Sequence, residues 1–151
     1  MPDTRFSRAR RKALAAAAAA TALFAGTRLV AAAERSSAVP APEQRWFEAA
    51  AAMRRLAESW GDQPYGAVLV ADGAIIGDGP SRVVQRNDPT AHAEREALRD
   101  AQRRLGRSDL AGTVLYSTSR PCRACETAAA EANVAHMYFG RELNDAGRPR
   151  R

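Results

Sequence analysis

Apolar positions along this chain fall into short blocks whose period alternates between that of a helix and that of a strand. Trp46, Ala50, Met53, Ala57 and Trp60 recur at steps of four and three with charges between them. That spacing gathers them into one stripe of a helix, which Gly61 ends. Residues 65–71 (YGAVLVA) are almost continuously apolar, which predicts a strand covered on both faces. Asp72-Gly73 predicts a two-residue hairpin turn into Ala74-Ile75-Ile76. Asp88-Pro89 reads as an N-cap followed by proline at the first helical position. The helix it opens carries Ala93, Ala97, Leu98, Ala101 and Leu105 on one face and stops at Gly106. Residues 113–118 (TVLYST) predict a third strand. Pro121 starts a third helix with Ala124, Ala128, Ala129 and Ala132 inward, and residues 136–139 (HMYF) predict a fourth strand.

A strand–helix–strand crossover forces the last two strands to run parallel, whereas the hairpin is antiparallel. The expected fold class is therefore α/β: a three-layer α/β/α sandwich around a mixed sheet. With 151 residues the chain holds one small domain, and two cysteines exclude a disulfide scaffold.

Charge changes the picture only when it is divided along the chain. Residues 1–33 hold six basic side chains and one acid, so they carry five of the six net positive charges. What remains is nearly neutral, and Arg95, Arg99, Arg103 and Arg104 alternate with Glu96 and Asp100, which reads as a solvated helix face; both argue against a nucleic-acid partner. The leader has a basic stretch at 7–12, an apolar run at 13–25 and small residues at Ala31-Ala32-Ala33. The apolar run is shorter than the roughly 20 residues of a membrane span. It reads as an export signal, twin-arginine-like through Arg10-Arg11, followed by a polar linker over 34–42. Export places the protein in the periplasm, with membrane contact only through an uncleaved leader.

Two helix starts hold the metal-binding potential: His92 with Glu94, and Cys122 with Cys125. Cysteines at i and i+3 on a first helical turn point the same way, and a helix N-terminus favours their thiolates. With one imidazole they form a three-ligand site that leaves tetrahedral zinc an open fourth position, the mark of a catalytic zinc. Water in that position becomes far more acidic than in bulk, and Glu94 lies within reach to take its proton. A redox disulfide is the alternative use of the cysteines. Pro121, where a redox motif carries an aromatic, and the otherwise unused His92-x-Glu94 favour the metal.

His92-Ala93-Glu94 followed by Pro121-Cys122-Arg123-Ala124-Cys125 is the pattern of the zinc nucleobase deaminases. With residues 64–77, 87–101 and 113–128 around it, the chain resembles the cytidine/deoxycytidylate deaminase superfamily, nearest its guanine deaminase and tRNA adenosine deaminase branch. The resemblance implies a deaminase-like zinc domain over 43–140, C-terminally short, with a basic tail over 141–151. It implies one zinc held by His92, Cys122 and Cys125, and Glu94 as proton shuttle. Water would attack the amine-bearing ring carbon of a small purine or pyrimidine base or nucleoside, releasing ammonia. Tyr65, Ala67, Ser81 and Ala93 are the expected substrate contacts. Ser81 stands where the family usually has asparagine, Glu131 where guanine deaminases have tryptophan, and Arg120 where a glutamate is common. The alternatives are a tRNA adenosine deaminase and a degenerate domain that binds zinc without catalysis. Because only eleven residues follow Gly140, the fourth strand is expected to leave a bare edge and the chain to form a homo-oligomer.

Overall fold

The computed structural model describes residues 42–151. The leader expected over 1–33, and all but the last residue of the linker expected over 34–42, lie outside these residues. No helix among the described residues is long and apolar enough to cross a membrane.

The elements are α1 (Gln44–Ser59), β1 (Gly66–Ala71), β2 (Ala74–Pro80), α2 (Val83–Arg86), α3 (Ala93–Leu105), β3 (Val114–Ser117), α4 (Arg123–Glu131), β4 (His136–Phe139) and β5 (Asn144–Gly147). The strands form one sheet in the order β2-β1-β3-β4-β5. β1 is antiparallel to β2 and β3, and β3 is parallel to β4. Asp72 and Gly73 sit at φ 49° and 72°, the left-handed conformation that a two-residue hairpin turn needs at both positions.

Alternation along β1 builds two cores. Val68 and Val70 face Trp46 and Ala50 of α1, together with Val114, Tyr116 and Tyr138. Ala67 and Leu69 face the other way, onto Ala93, Ala97, Leu98 and Ala101 of α3 and Ala129 of α4. This is the expected three-layer arrangement.

Bare strand surface lets the helices come close. A Cβ on Gly77 would lie 2.3 Å from the Ala97 carbonyl oxygen, and one on Gly79 would lie 2.1 Å from that of Ala93. Two glycines two residues apart on β2 thus form a flat track for the Ala93, Ala97, Ala101 ridge of α3. The track fixes where α3 begins.

Five details differ from the sequence reading. The helix expected from Asp88-Pro89 starts at Ala93; Asp88 instead accepts from the N–H of Thr90 at 2.8 Å and its hydroxyl at 2.7 Å. Trp60 leaves the α1 stripe, 37% exposed under the Arg82 guanidinium, and Leu105 is also exposed. In the first turn of α4 the inward residue is Cys125, with Ala124 exposed. Glu96 and Asp100 do not join the arginines of α3 in a solvated face. They are buried, Glu96 against Arg86 and Arg99 at 2.7 Å each, Asp100 against Arg104 at 2.6 Å. Finally, the β4 edge is covered: Asn144–Gly147, within the expected tail, pairs antiparallel to β4 as β5. His136 Nε2 and Asp145 Oδ1, 2.7 Å apart, fasten the pair. The bare-edge argument for a homo-oligomer therefore does not apply to β4.

Candidate active site

Both helix starts place a ligating side chain at the N-cap. His92 precedes α3 and Cys122 precedes α4, each with extended backbone, and neither side chain bonds its own helix. A serine or aspartate there would fold back onto the first-turn N–H groups. Here the imidazole and the thiol stay free to turn outward, and Cys125 follows one turn into α4.

His92 Nδ1 lies 3.6 Å from Cys122 Sγ and 3.5 Å from Cys125 Sγ. All three ligand atoms fall within 4.8 Å of one another. Zinc–nitrogen and zinc–sulfur bonds of roughly 2.0 and 2.3 Å at the tetrahedral angle give an N···S edge of about 3.6 Å. The donor set therefore has both the composition and the spacing to hold one Zn²⁺ with a fourth position left open. Both cysteines are free thiols.

Glu94 lies in the first turn of α3, 5% exposed, and its Oε2 accepts from Cys125 Sγ at 3.5 Å. Burial pushes its carboxyl above the usual range, against the opposing pull of its own backbone N–H, Cys125 and His92. Burial also pushes the Cys125 thiol up, helped by the neighbouring Glu94 charge and Cys122. A divalent cation reverses that second effect by coordinating the thiolate.

Beside these groups opens a cavity of about 260 Å³ lined by Gln63, Tyr65, His92, Ala93, Glu94, Ser119, Arg120 and Cys122. Of the four expected substrate contacts, Tyr65 and Ala93 are on this wall. Ala67 and Ser81 are not. Ala67 is fully buried in the core beneath α3. Ser81 is 1% exposed, and its hydroxyl donates to Asp62 Oδ1 at 2.9 Å. Glu131 is exposed on a separate groove between α3 and α4. The sequence reading missed Gln63 and Ser119 as wall residues and noted Arg120 only as a departure. Ser119 and Arg120 directly precede Pro121-Cys122, which was their available signal; nothing local marks Gln63.

The family model described as the cytidine and deoxycytidylate deaminase zinc-binding region matches residues 40–141. The chain belongs to this family. The deaminase domain is 39% identical over 100 residues to the tRNA-specific adenosine deaminase of Buchnera aphidicola subsp. Schizaphis graminum, covering 66% of this chain and 66% of that protein. It is 43% identical over 83 residues to the guanine deaminase of Bacillus subtilis, covering 55% of this chain and 53% of that one. A solved structure from work on A-to-I editing by tRNA:A34 deaminases superposes with a TM-score of 0.63 at 38% identity, over 65% of this chain and 71% of that one. The chain thus spans between about half and two thirds of the curated relatives' length. Relatives named for tRNA remove the ground for excluding nucleic acid on net charge alone.

Proposed function

We propose that this domain is a zinc-dependent hydrolytic deaminase acting on an amino-bearing purine or pyrimidine and releasing ammonia. One observation carries the reading: the N···S edges of 3.5 and 3.6 Å fit tetrahedral zinc, and a buried carboxylate adjoins the same cavity. A zinc held only for folding has no use for that carboxylate.

When bound, the ion supplies the pull that makes water acidic enough to act as a nucleophile near neutral pH. The chain's own residues do the rest. Glu94, held above the usual carboxylate range by burial, exchanges protons readily. It takes one proton from the attacking water and gives it to the ring nitrogen beside the amine-bearing carbon, then takes the second from the hydroxyl newly formed on that carbon and gives it to the departing amine, leaving a carbonyl and ammonia. Tyr65, 43% exposed at the cavity wall, offers a face on which a base stacks. Gln63 and Ser119 supply polar edges for orienting it.

A second reading, a tRNA adenosine deaminase, is favoured by the 39% identity to a protein of that name. The test is ammonia release by zinc-loaded protein from guanine, adenine, cytosine, their nucleosides and an adenosine-containing tRNA hairpin. Replacing Glu94 by glutamine removes the proton carrier and is expected to cost roughly 10²–10⁴-fold in rate while zinc stays bound. Release from the hairpin alone would select the second reading. Silence across the panel with zinc bound would leave a domain that binds zinc without this chemistry, and full activity in Glu94→Gln would refute Glu94 as the proton carrier.

A further inference from the structure

The wall of the cavity beside Glu94 is drawn from three segments: Gln63 with Tyr65, His92 with Ala93 and Glu94, and Ser119 with Arg120 and Cys122. Two of them carry metal-ligating side chains, His92 and Cys122, so a bound ion pins both. The segment of Gln63 and Tyr65 carries none. It lies in the irregular connection between α1 and β1, where neither a helix nor a ladder sets its course. Its hold on a ligand depends on whatever else fixes it, since a displacement of about 1 Å can cost roughly 10²-fold in rate.

Asp62 stands behind that segment. It does not line the cavity, and at 8% exposure it is closed off from a ligand. Its Oδ1 accepts from the Gln63 N–H at 2.8 Å and from the Ser81 hydroxyl at 2.9 Å. Its Oδ2 accepts from the Gln85 N–H at 2.8 Å, in the first turn of α2, whose own N-cap residue Arg82 makes no side-chain cap. The Ser81 N–H donates to the Tyr65 carbonyl at 3.1 Å, and the Tyr65 N–H donates to the Gln63 carbonyl at 2.7 Å. Apart from the Asp62 N–H on the Ala57 carbonyl of α1, these ties to Ser81 and Gln85 are what hold the segment from outside. An ionised acceptor makes them stronger than bonds between neutral groups.

We propose that Asp62 is a positioning residue for the substrate: with Ser81 it fixes, through Gln63, the one wall of the cavity that the metal does not, and so sets how tightly the ring is held. The proposal rests on the base-binding role given above to this cavity. Asp62 takes no part in the proton transfers of Glu94, and Ser81 acts from inside the fold as the donor that locks it. This role has a signature that a loss of stability lacks. Unfolding a fraction of the molecules lowers total rate and zinc content together and leaves KM unchanged. A loosened wall raises KM while the zinc stays in place.

The test compares the zinc-loaded full chain with Asp62→Ala and Ser81→Ala, on whichever base or nucleoside the parent deaminates fastest. Ammonia release gives KM and kcat per bound zinc, and hydrogen exchange read by mass spectrometry follows residues 61–66. Asp62→Ala should raise KM about 10- to 100-fold, as for loss of charge-assisted hydrogen bonds, with a much smaller change in kcat per zinc. Exchange over 61–66 should quicken while 92–96 and 122–126 keep their protection. Ser81→Ala leaves the carboxylate and both of its N–H partners, so KM should rise by roughly 2- to 10-fold; it also serves if Asp62→Ala does not fold. Asp109→Asn is the control. That carboxylate accepts from the Ala111 N–H at 3.0 Å and the Asn133 amide at 3.1 Å but lines no part of the cavity, so KM should stand. A parental KM in the variants, or a rate that falls in step with zinc content at constant KM, would overturn the proposal. If the parent releases no ammonia, the deaminase reading has failed on its own. The shift is then read as Kd by calorimetry with the same bases and nucleosides, and unchanged affinity, or no binding by the parent, overturns the positioning role as well.

Discussion

Replacing Gly79 by alanine would place a Cβ 2.1 Å from the Ala93 carbonyl oxygen and 2.7 Å from the Ala97 amide nitrogen. Ordinary contact begins at 3.4 Å, so α3 must retreat by about 1.3 Å at its first turn. Both obstructing atoms are backbone and cannot rotate aside. The cost belongs at the upper end of overpacking, about 3 kcal/mol, which in a domain of this size lowers Tm by roughly 10–20 °C. The same retreat reaches the metal, because Ala93 lies between His92 and Glu94. An N···S edge of 3.5 Å stretched by even half of that displacement no longer fits tetrahedral zinc. Zinc affinity should fall about 10- to 100-fold, as when groups supporting a ligand are lost. The assay is competition against a chromophoric chelator, alongside thermal melting with and without zinc. Gly73→Ala is the control: at φ +72° with nothing within 4 Å, it strains the hairpin but leaves α3 alone. If Gly79→Ala melts within roughly 2 °C of the parent and keeps its zinc affinity, the glycine track does not set the position of α3.

Two further outcomes follow from the ionisable groups. Because burial raises the Cys125 thiol, zinc must displace a proton to bind, so apparent zinc affinity should climb from about pH 6 to 8; a pH-independent affinity would contradict the assignment of that sulfur. Burial alone would raise Asp62. The N–H groups of Gln85 and Gln63, each at 2.8 Å, and the Ser81 hydroxyl outweigh it and hold the carboxyl below its ordinary value. The resulting stability is present above the ordinary carboxylate range and is lost as pH falls through it, below about pH 4. Asp62→Asn should cost about 1–3 kcal/mol at neutral pH, with the gap to the parent closing in acid. Equal urea midpoints at pH 7 would refute that role.

Period and punctuation made much of this fold legible. The α1 stripe, the Asp72-Gly73 turn, the strand at β3 and the glycine that stops α3 are local signals, each decided by neighbours in sequence. The three residues able to hold a metal ion were legible for a related reason, since His92 and the Cys122–Cys125 pair sit at helix starts where residue type and spacing restrict the chemistry. What escaped the reading depends on distant partners. Ser81 resembles a pocket residue until Asp62, nineteen positions earlier, takes its hydroxyl. Glu96 and Asp100 look solvated until arginines from the segment after β2 and from α3 itself close over them. β5, with the sequence Asn-Asp-Ala-Gly, has no apolar alternation, and only its pairing to β4 and the His136–Asp145 contact define it.

The ligand geometry also bears on how the chain resists unfolding. His92 and Cys122 are thirty residues apart, and the segment between them contains all of α3 and β3. A metal joining them acts as a reversible covalent staple across that loop. By the entropy lost from the unfolded chain, closing a loop of this length is worth roughly 3–4 kcal/mol. For a domain with a modest core, that is a large share of the 5–15 kcal/mol typical of folded proteins. Withdrawing the metal would loosen the hold of α4 on α3 and expose two reducing thiols in the same event, so metal starvation and oxidative damage would converge on one small region of the molecule.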